Sequence, residues 1–179
     1  MTATKWDHVN VYPTLESYVN AFKKLAGLTK ENNGELLLCA SGENNDQIFE
    51  HAERKAHTYA LDGATLVIQD PEYLGKVTET TEDAFYFTIE KKGTIIGTFS
   101  TKLLGIHNVE NCIGVIAMCD ILGFDLDAVG KAVASFNGVK VRLELLGKTK
   151  NGATVYNDIA YSPVKAKASL EALRSRFAT

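Results

Sequence analysis

The segment from Glu35 to Leu61 restricts the fold more than any other stretch of this chain. Glu35-Leu-Leu-Leu-Cys-Ala40 is a short continuous apolar run, the mark of a strand covered on both faces. A polar loop, Ser41-Gly-Glu-Asn-Asn-Asp46, follows at its carboxyl end. Gln47 to Ala56 is expected to be a helix with Ile48, Phe49 and Ala52 inward, and His57-Thr-Tyr-Ala-Leu61 a second strand. Strand, helix and strand within about 30 residues form a βαβ unit, whose strands run parallel with a right-handed crossover. An α/β fold follows.

The flanking segments extend that unit. Pro13 fits the first position of a helix from Thr14 to about Leu28, where Leu15, Tyr18, Val19, Phe22, Leu25 and Ala26 step by three and four. From 64 to 103 the period changes to two. Ala64 to Gln69 and Ala84 to Ile89 read as strands, and Lys91-Lys-Gly93 turns the chain back into Thr94 to Phe99. This is an antiparallel hairpin or meander appended to the parallel unit. Leu104-Gly-Ile-His-Asn-Val-Glu-Asn111 then opens the clearest helix, which runs to about Leu122 and stops at Gly123. Asp125 or Asp127 caps a second helix that runs to Phe136. Leu143 to Leu146 and Ala153 to Tyr156 make another hairpin around Gly152. Pro163 opens a last amphipathic helix to about Phe177, with Ala168, Leu170 and Leu173 at core spacing.

Within this α/β frame, several side chains could carry chemistry. Asn108 is an N-cap candidate and Glu110 falls in the first turn, where the helix dipole favours negative charge. Asn108 and Asn111 are three apart, so both amides leave one face at the positive helix end. An amide places a donor beside an acceptor, which suits a heterocycle's edge; capping alone is the other reading. Asp7-His8 offers a carboxylate and an imidazole before a proline turn, though a lone histidine has no metal-site spacing. Arg142 carries a guanidinium suited to bidentate phosphate contacts, or is a solvated strand charge. Asp158 follows a strand, where α/β sheets place ligand contacts and where a carboxylate can accept from ribose hydroxyls; otherwise it caps a turn.

Composition excludes other classes. The net charge is −3 with no basic block, so there is no footprint for a nucleic-acid backbone. Cys39, Cys112 and Cys119 are odd in number and lack CxxC spacing, which reads as small buried hydrophobes in a reducing compartment. No apolar run approaches the roughly 18 residues of a membrane span, and the start lacks the basic and apolar regions of a secretory signal. A cytoplasmic protein is expected. The sequence contains no GxxxxGK[ST], GxSxG or HExxH.

In order, these pieces resemble the Mur ligases, the ATP-dependent amide ligases of peptidoglycan assembly. The resemblance rests on Trp6-Asp-His8, Gly105-Ile-His-Asn-Val-Glu-Asn111, Phe136-Asn-Gly-Val-Lys-Val-Arg142 and Tyr156-Asn-Asp-Ile-Ala-Tyr-Ser-Pro163. Within that family the opening residues and the Lys165-Ala-Lys-Ala run point to the murein peptide ligase branch, which joins UDP-N-acetylmuramate to L-alanyl-γ-D-glutamyl-meso-diaminopimelate. The UDP-N-acetylmuramate–L-alanine ligase branch is second. A non-catalytic module that binds a nucleotide or a partner is the alternative outside enzymology.

The resemblance implies a magnesium contact for His8, adenine contacts for Asn108 and Asn111, phosphate contact for Arg142 and ribose contact for Asp158. It implies ATP and magnesium as cofactors, with UDP-N-acetylmuramate and a peptide or amino-acid amine donor as partners. It further implies that residues 1–138 are the later part of a central ATP-binding domain. Residues 139–179 would then begin a Rossmann-like C-terminal ligase domain. Tyr161 stands where the family usually has histidine. The family's phosphate loop and N-terminal domain have no counterpart here, so the chain is expected to be a fragment without turnover.

Overall fold

The computed structural model describes residues 1–161 and 163–177. Helix α1 (Leu15–Glu31) starts where Thr14 accepts from the Ser17 N–H and the Ser17 hydroxyl accepts from the Thr14 N–H. That reciprocal pair satisfies two otherwise orphaned donors. Val19 and Ala26 are buried while Leu15 and Leu25 stay exposed, so its inward stripe is narrower than the periodicity implies.

Strands β1 (Leu37–Cys39) and β2 (His57–Leu61), with helix α2 (Asn45–His51) between them, form the expected parallel βαβ unit. Helix α2 stops earlier than the pattern suggests, because Glu53 and Arg54 take positive φ angles of 55° and 56°. The free edge of β1 is occupied by the chain's own start. The Met1 amine donates to the Leu37 carbonyl at 2.6 Å, and the Cys39 N–H donates to the Met1 carbonyl at 2.9 Å.

The next strand corrects the sequence reading. Residues 64–69 are not a strand; the N–H groups of Val67 and Ile68 both donate to the Ala40 carbonyl, and Ile68 is buried. A short apolar run cannot be told from a packed loop by periodicity alone. The partner of β2 is instead β3 (Tyr73–Thr80), parallel to it with Tyr73 opposite Tyr59. Its alternation is broken by Gly75, where an added Cβ would lie 2.2 Å from Ile113 Cδ1, so the close approach of a helix requires glycine.

Strands β4 (Phe85–Lys91) and β5 (Thr94–Thr101) complete one mixed sheet in the order β1-β2-β3-β4-β5. Lys92 and Gly93 both have positive φ, as a two-residue hairpin turn requires. The antiparallel part therefore continues the parallel part.

Helix α3 (Ile106–Ile121) covers one face of this sheet. Its Val109, Cys112, Ile113, Ile116 and Ala117 pack with Tyr59, Tyr73, Phe87, Ile89 and Phe99. On the other face Ala26 and Ile48 meet Leu38, Ala40, Ala60 and Ile68. Helix α3 ends with Gly123 at φ 77°, the Gly123 N–H bonded to Asp120 and the Phe124 N–H to Cys119. Those are the two bonds of a Schellman cap. Asp125 caps α4 (Leu126–Ser135), whose Leu126, Val129 and Val133 lean on the same core.

Strands β6 (Glu144–Lys148) and β7 (Thr154–Asn157) form a separate antiparallel pair, followed by α5 (Pro163–Phe177). The spacing put Leu170 inward on α5. It is 67% exposed, and among the described side chains of α5 the buried one is Ala172, because that turn of the helix sits close to Gly105. Among the described residues, no helix is long and apolar enough to cross a membrane.

Candidate functional site

A cavity of about 380 Å³ opens between the start of α3, the turn before β6, the end of β7 and α5. Asn108, Asn111, Phe136, Arg142, Asp158 and Lys165 are among its lining residues. Four of the residues selected from the sequence thus converge, although 50 positions separate Asn108 from Asp158.

The first wall is the start of α3, and here two expectations are corrected. Asn108 is not the N-cap; the helix begins at Ile106 with Gly105 as its cap, and Glu110 lies beyond the first turn. Gly105 has φ 88°, and a Cβ there would stand 2.7 Å from Ala172 Cβ, so glycine lets the chain turn early beneath α5. Asn108 instead reaches back, its Nδ2 donating to the Leu104 carbonyl at 2.8 Å. Its Oδ1 faces Asn111 Nδ2 at 3.4 Å, a long and weak bond. Asn108 is held by the backbone; Asn111 is exposed and yields its amide readily. Glu110 is elsewhere engaged, accepting from the Ser41 hydroxyl at 2.6 Å.

The second wall is a strained turn. Val141 and Leu143 take φ angles of 55° and 48°, a conformation that costs a non-glycine residue on the order of 1–3 kcal/mol and is least tolerated by the β-branched Val141. Both backbone groups of Val141 are used: its N–H donates to Glu144 Oε2 and its carbonyl accepts from the Ile159 N–H, each at 2.9 Å. Arg142 sits between the two strained residues, exposed and on the cavity wall. Asp158, just past β7, accepts from the Ser169 hydroxyl of α5.

His8 is not brought into this cavity. It is exposed at φ 54°, and no group of three metal-ligating side chains gathers among the described residues. Its neighbour Asp7 is the residue the fold uses. The Asp7 carboxylate accepts from Lys165 Nζ at 3.0 Å, from the Tyr161 hydroxyl at 3.2 Å and from the His8 N–H at 2.8 Å. The Lys165 ammonium, helped by the backbone bond, holds the Asp7 carboxyl down at about 2. Lys165 also contacts the Tyr161 hydroxyl and stands 3.7 Å from the centre of its ring. Lys165 and Ser169 received no role from the sequence. Their four-residue spacing, immediately after Asp158, was the available signal.

Residues 1–119 match the Mur ligase middle domain. The chain belongs to the Mur ligase family. It is 28% identical to the UDP-N-acetylmuramate–L-alanine ligase of a Roseiflexus species, over 99% of this chain and 40% of that protein. It is 31% identical to the enzyme of the same name from Acetivibrio thermocellus, over 94% of this chain and 35% of that protein. The crystal structure of UDP-N-acetylmuramate-alanine ligase from Thermotoga maritima superposes with a TM-score of 0.75 at 24% identity, over 98% of this chain and 37% of that one, a likeness of fold. The chain thus spans about 35–40% of the length of these curated relatives. Within this chain, Asn108 and Asn111 lie inside the matched middle domain, while Arg142, Asp158 and Lys165 lie beyond it.

Proposed function

We propose that this chain carries the base- and ribose-reading part of the ATP site of an amide ligase that acts on UDP-N-acetylmuramate. The observation that supports this is the convergence of Asn108, Asn111, Arg142 and Asp158 on one cavity, which lies within the roughly 300–1,000 Å³ of ordinary ligand pockets. In this reading Asn111, steadied by Asn108, offers a paired donor and acceptor to the adenine edge. The Phe136 side chain supplies apolar surface for the ring, and Asp158, fixed by Ser169, accepts from ribose hydroxyls. Arg142 faces the phosphate side. Bound ATP would supply the phosphoryl group that makes a carboxylate reactive toward an amine. The boundary between the two parts of the site is assigned near residue 138, with 139–179 opening a second domain.

The amine donor we favour is L-alanine, because the relatives described above are named for it. The tripeptide donor of murein recycling is the second reading, favoured by the opening Trp6-Asp-His-Val-Asn-Val-Tyr-Pro13 and by the Lys165-Ala-Lys-Ala run. Magnesium does not fit the described residues: His8 stands outside the cavity, and no group of three metal-ligating side chains gathers among those residues, so no step is assigned through it. The chain alone is expected to bind nucleotide without turnover. Calorimetry tests the reading. Adenosine and ATP should bind with similar modest affinity, and Asn111→Leu should weaken both about tenfold. Failure of adenosine to bind, or an unchanged affinity in Asn111→Leu, overturns it.

A further inference from the structure

The cavity's second cation is turned away from it. Lys165 lines the cavity with Arg142, yet its ammonium is bound to Asp7, a residue 158 positions earlier. The Lys165 and Asp7 side chains keep 36% and 33% of their surface exposed, so water and salt weaken the pair. Lysine has a long flexible stem and three donors, which lets it exchange one anion for another without moving its backbone. Tyr161 steadies it where it now lies, through the hydroxyl and the ring face.

We propose that Lys165 is a phosphate-binding side chain held in reserve by Asp7, and that a polyphosphate entering the cavity beside Arg142 competes with Asp7 for it. The inference rests on the nucleotide reading only for the identity of the natural ligand; the competition itself needs nothing more than a polyanion. It accounts for why a chain with two cations at one cavity is expected to bind ATP little better than adenosine: one of the two is already neutralised. Ligand binding would also release the segment around Asp7 from α5, so the contact couples occupancy of the cavity to the position of residues 5–13.

The test uses inorganic tripolyphosphate and adenosine as separate probes on the full chain, titrated by calorimetry. Asp7→Asn should strengthen tripolyphosphate binding about fivefold, the upper range for one part-exposed ion pair, and leave adenosine unchanged. In the Lys165→Met background Asp7→Asn should give no gain, which separates the release of Lys165 from the plain loss of a negative charge. The gain should shrink as salt is raised. An unchanged tripolyphosphate affinity in Asp7→Asn, or a gain that persists with Lys165→Met, overturns the proposal. A chain that binds tripolyphosphate in this pattern but never binds adenosine would uphold the exchange while removing the adenine reading.

Discussion

The sheet-forming region and the C-terminal hairpin with its helix place their apolar side chains in opposite ways. Tyr73, Phe87, Ile89, Ile113 and Ile116 are fully buried between the five-stranded sheet and α3. After Ala117, Ala172 is the single buried apolar residue among those described, whereas Leu145 and Leu146 are each 60% exposed. Five strands with helices on both faces make a core; two strands and one helix do not, and a lone hairpin is marginal in water. The second region is held by what it touches in the first: Ala172 near Gly105, and Lys165 and Tyr161 on Asp7. The two halves of the cavity therefore differ in rigidity, the Asn108 side being the firmer.

The largest effect expected is from Phe87→Ala, which should lower global stability by about 4 kcal/mol in urea unfolding. An equal loss from any truncation in β6 or β7 would break the contrast. Next comes Asp120→Ala. Asp120 accepts from the buried Tyr73 hydroxyl and from Lys91 Nζ, both at 2.7 Å. Burial and the Asp120 charge raise the Tyr73 hydroxyl to about 12. Removing the carboxylate takes away the acceptor of that hydroxyl's proton, at a cost of about 2 kcal/mol, read as a lower melting temperature.

The third prediction concerns pH. Asp7 titrates at about 2 when folded, below its ordinary 3.8. Its hold on α5 is thus complete above that ordinary value and lost as pH falls toward about 2. Carboxyl NMR should show this low midpoint, and Lys165→Met should move it back toward the ordinary 3.8. If the midpoint stays put, the ion pair is not what secures the second region. The smallest effect is Leu145→Ala, within about 0.5 kcal/mol by the same urea measurement. A loss above 2 kcal/mol would mean the hairpin has a core of its own.

Much of the fold was readable because it is written locally. The apolar run before Ala40, the turn at Gly93 and the stop at Gly123 each act within a few residues, whereas Pro13, expected at the first position of α1, lies just before Thr14, which caps the helix. The misreadings share a cause. Residues 64–69 have strand-like composition, but the Val67 and Ile68 N–H groups donate to the Ala40 carbonyl, and β3 carries a glycine because α3 presses on it. Asn108 has the chemistry of a cap, yet Gly105 turns the chain first because Ala172 leaves no room for a side chain.

By itself the sequence determined the α/β class, the parallel unit and the helices, and it singled out the polar residues proposed to meet a nucleotide. Only the tertiary structure decided that Asn111, Arg142 and Asp158 share a cavity, that His8 does not, and that Lys165 lies between that cavity and Asp7. The physical reason is range. Helical and strand periods constrain neighbours three, four or two residues apart, whereas an ion pair spanning 158 positions leaves no spacing in the sequence and exists only once both regions have folded against each other.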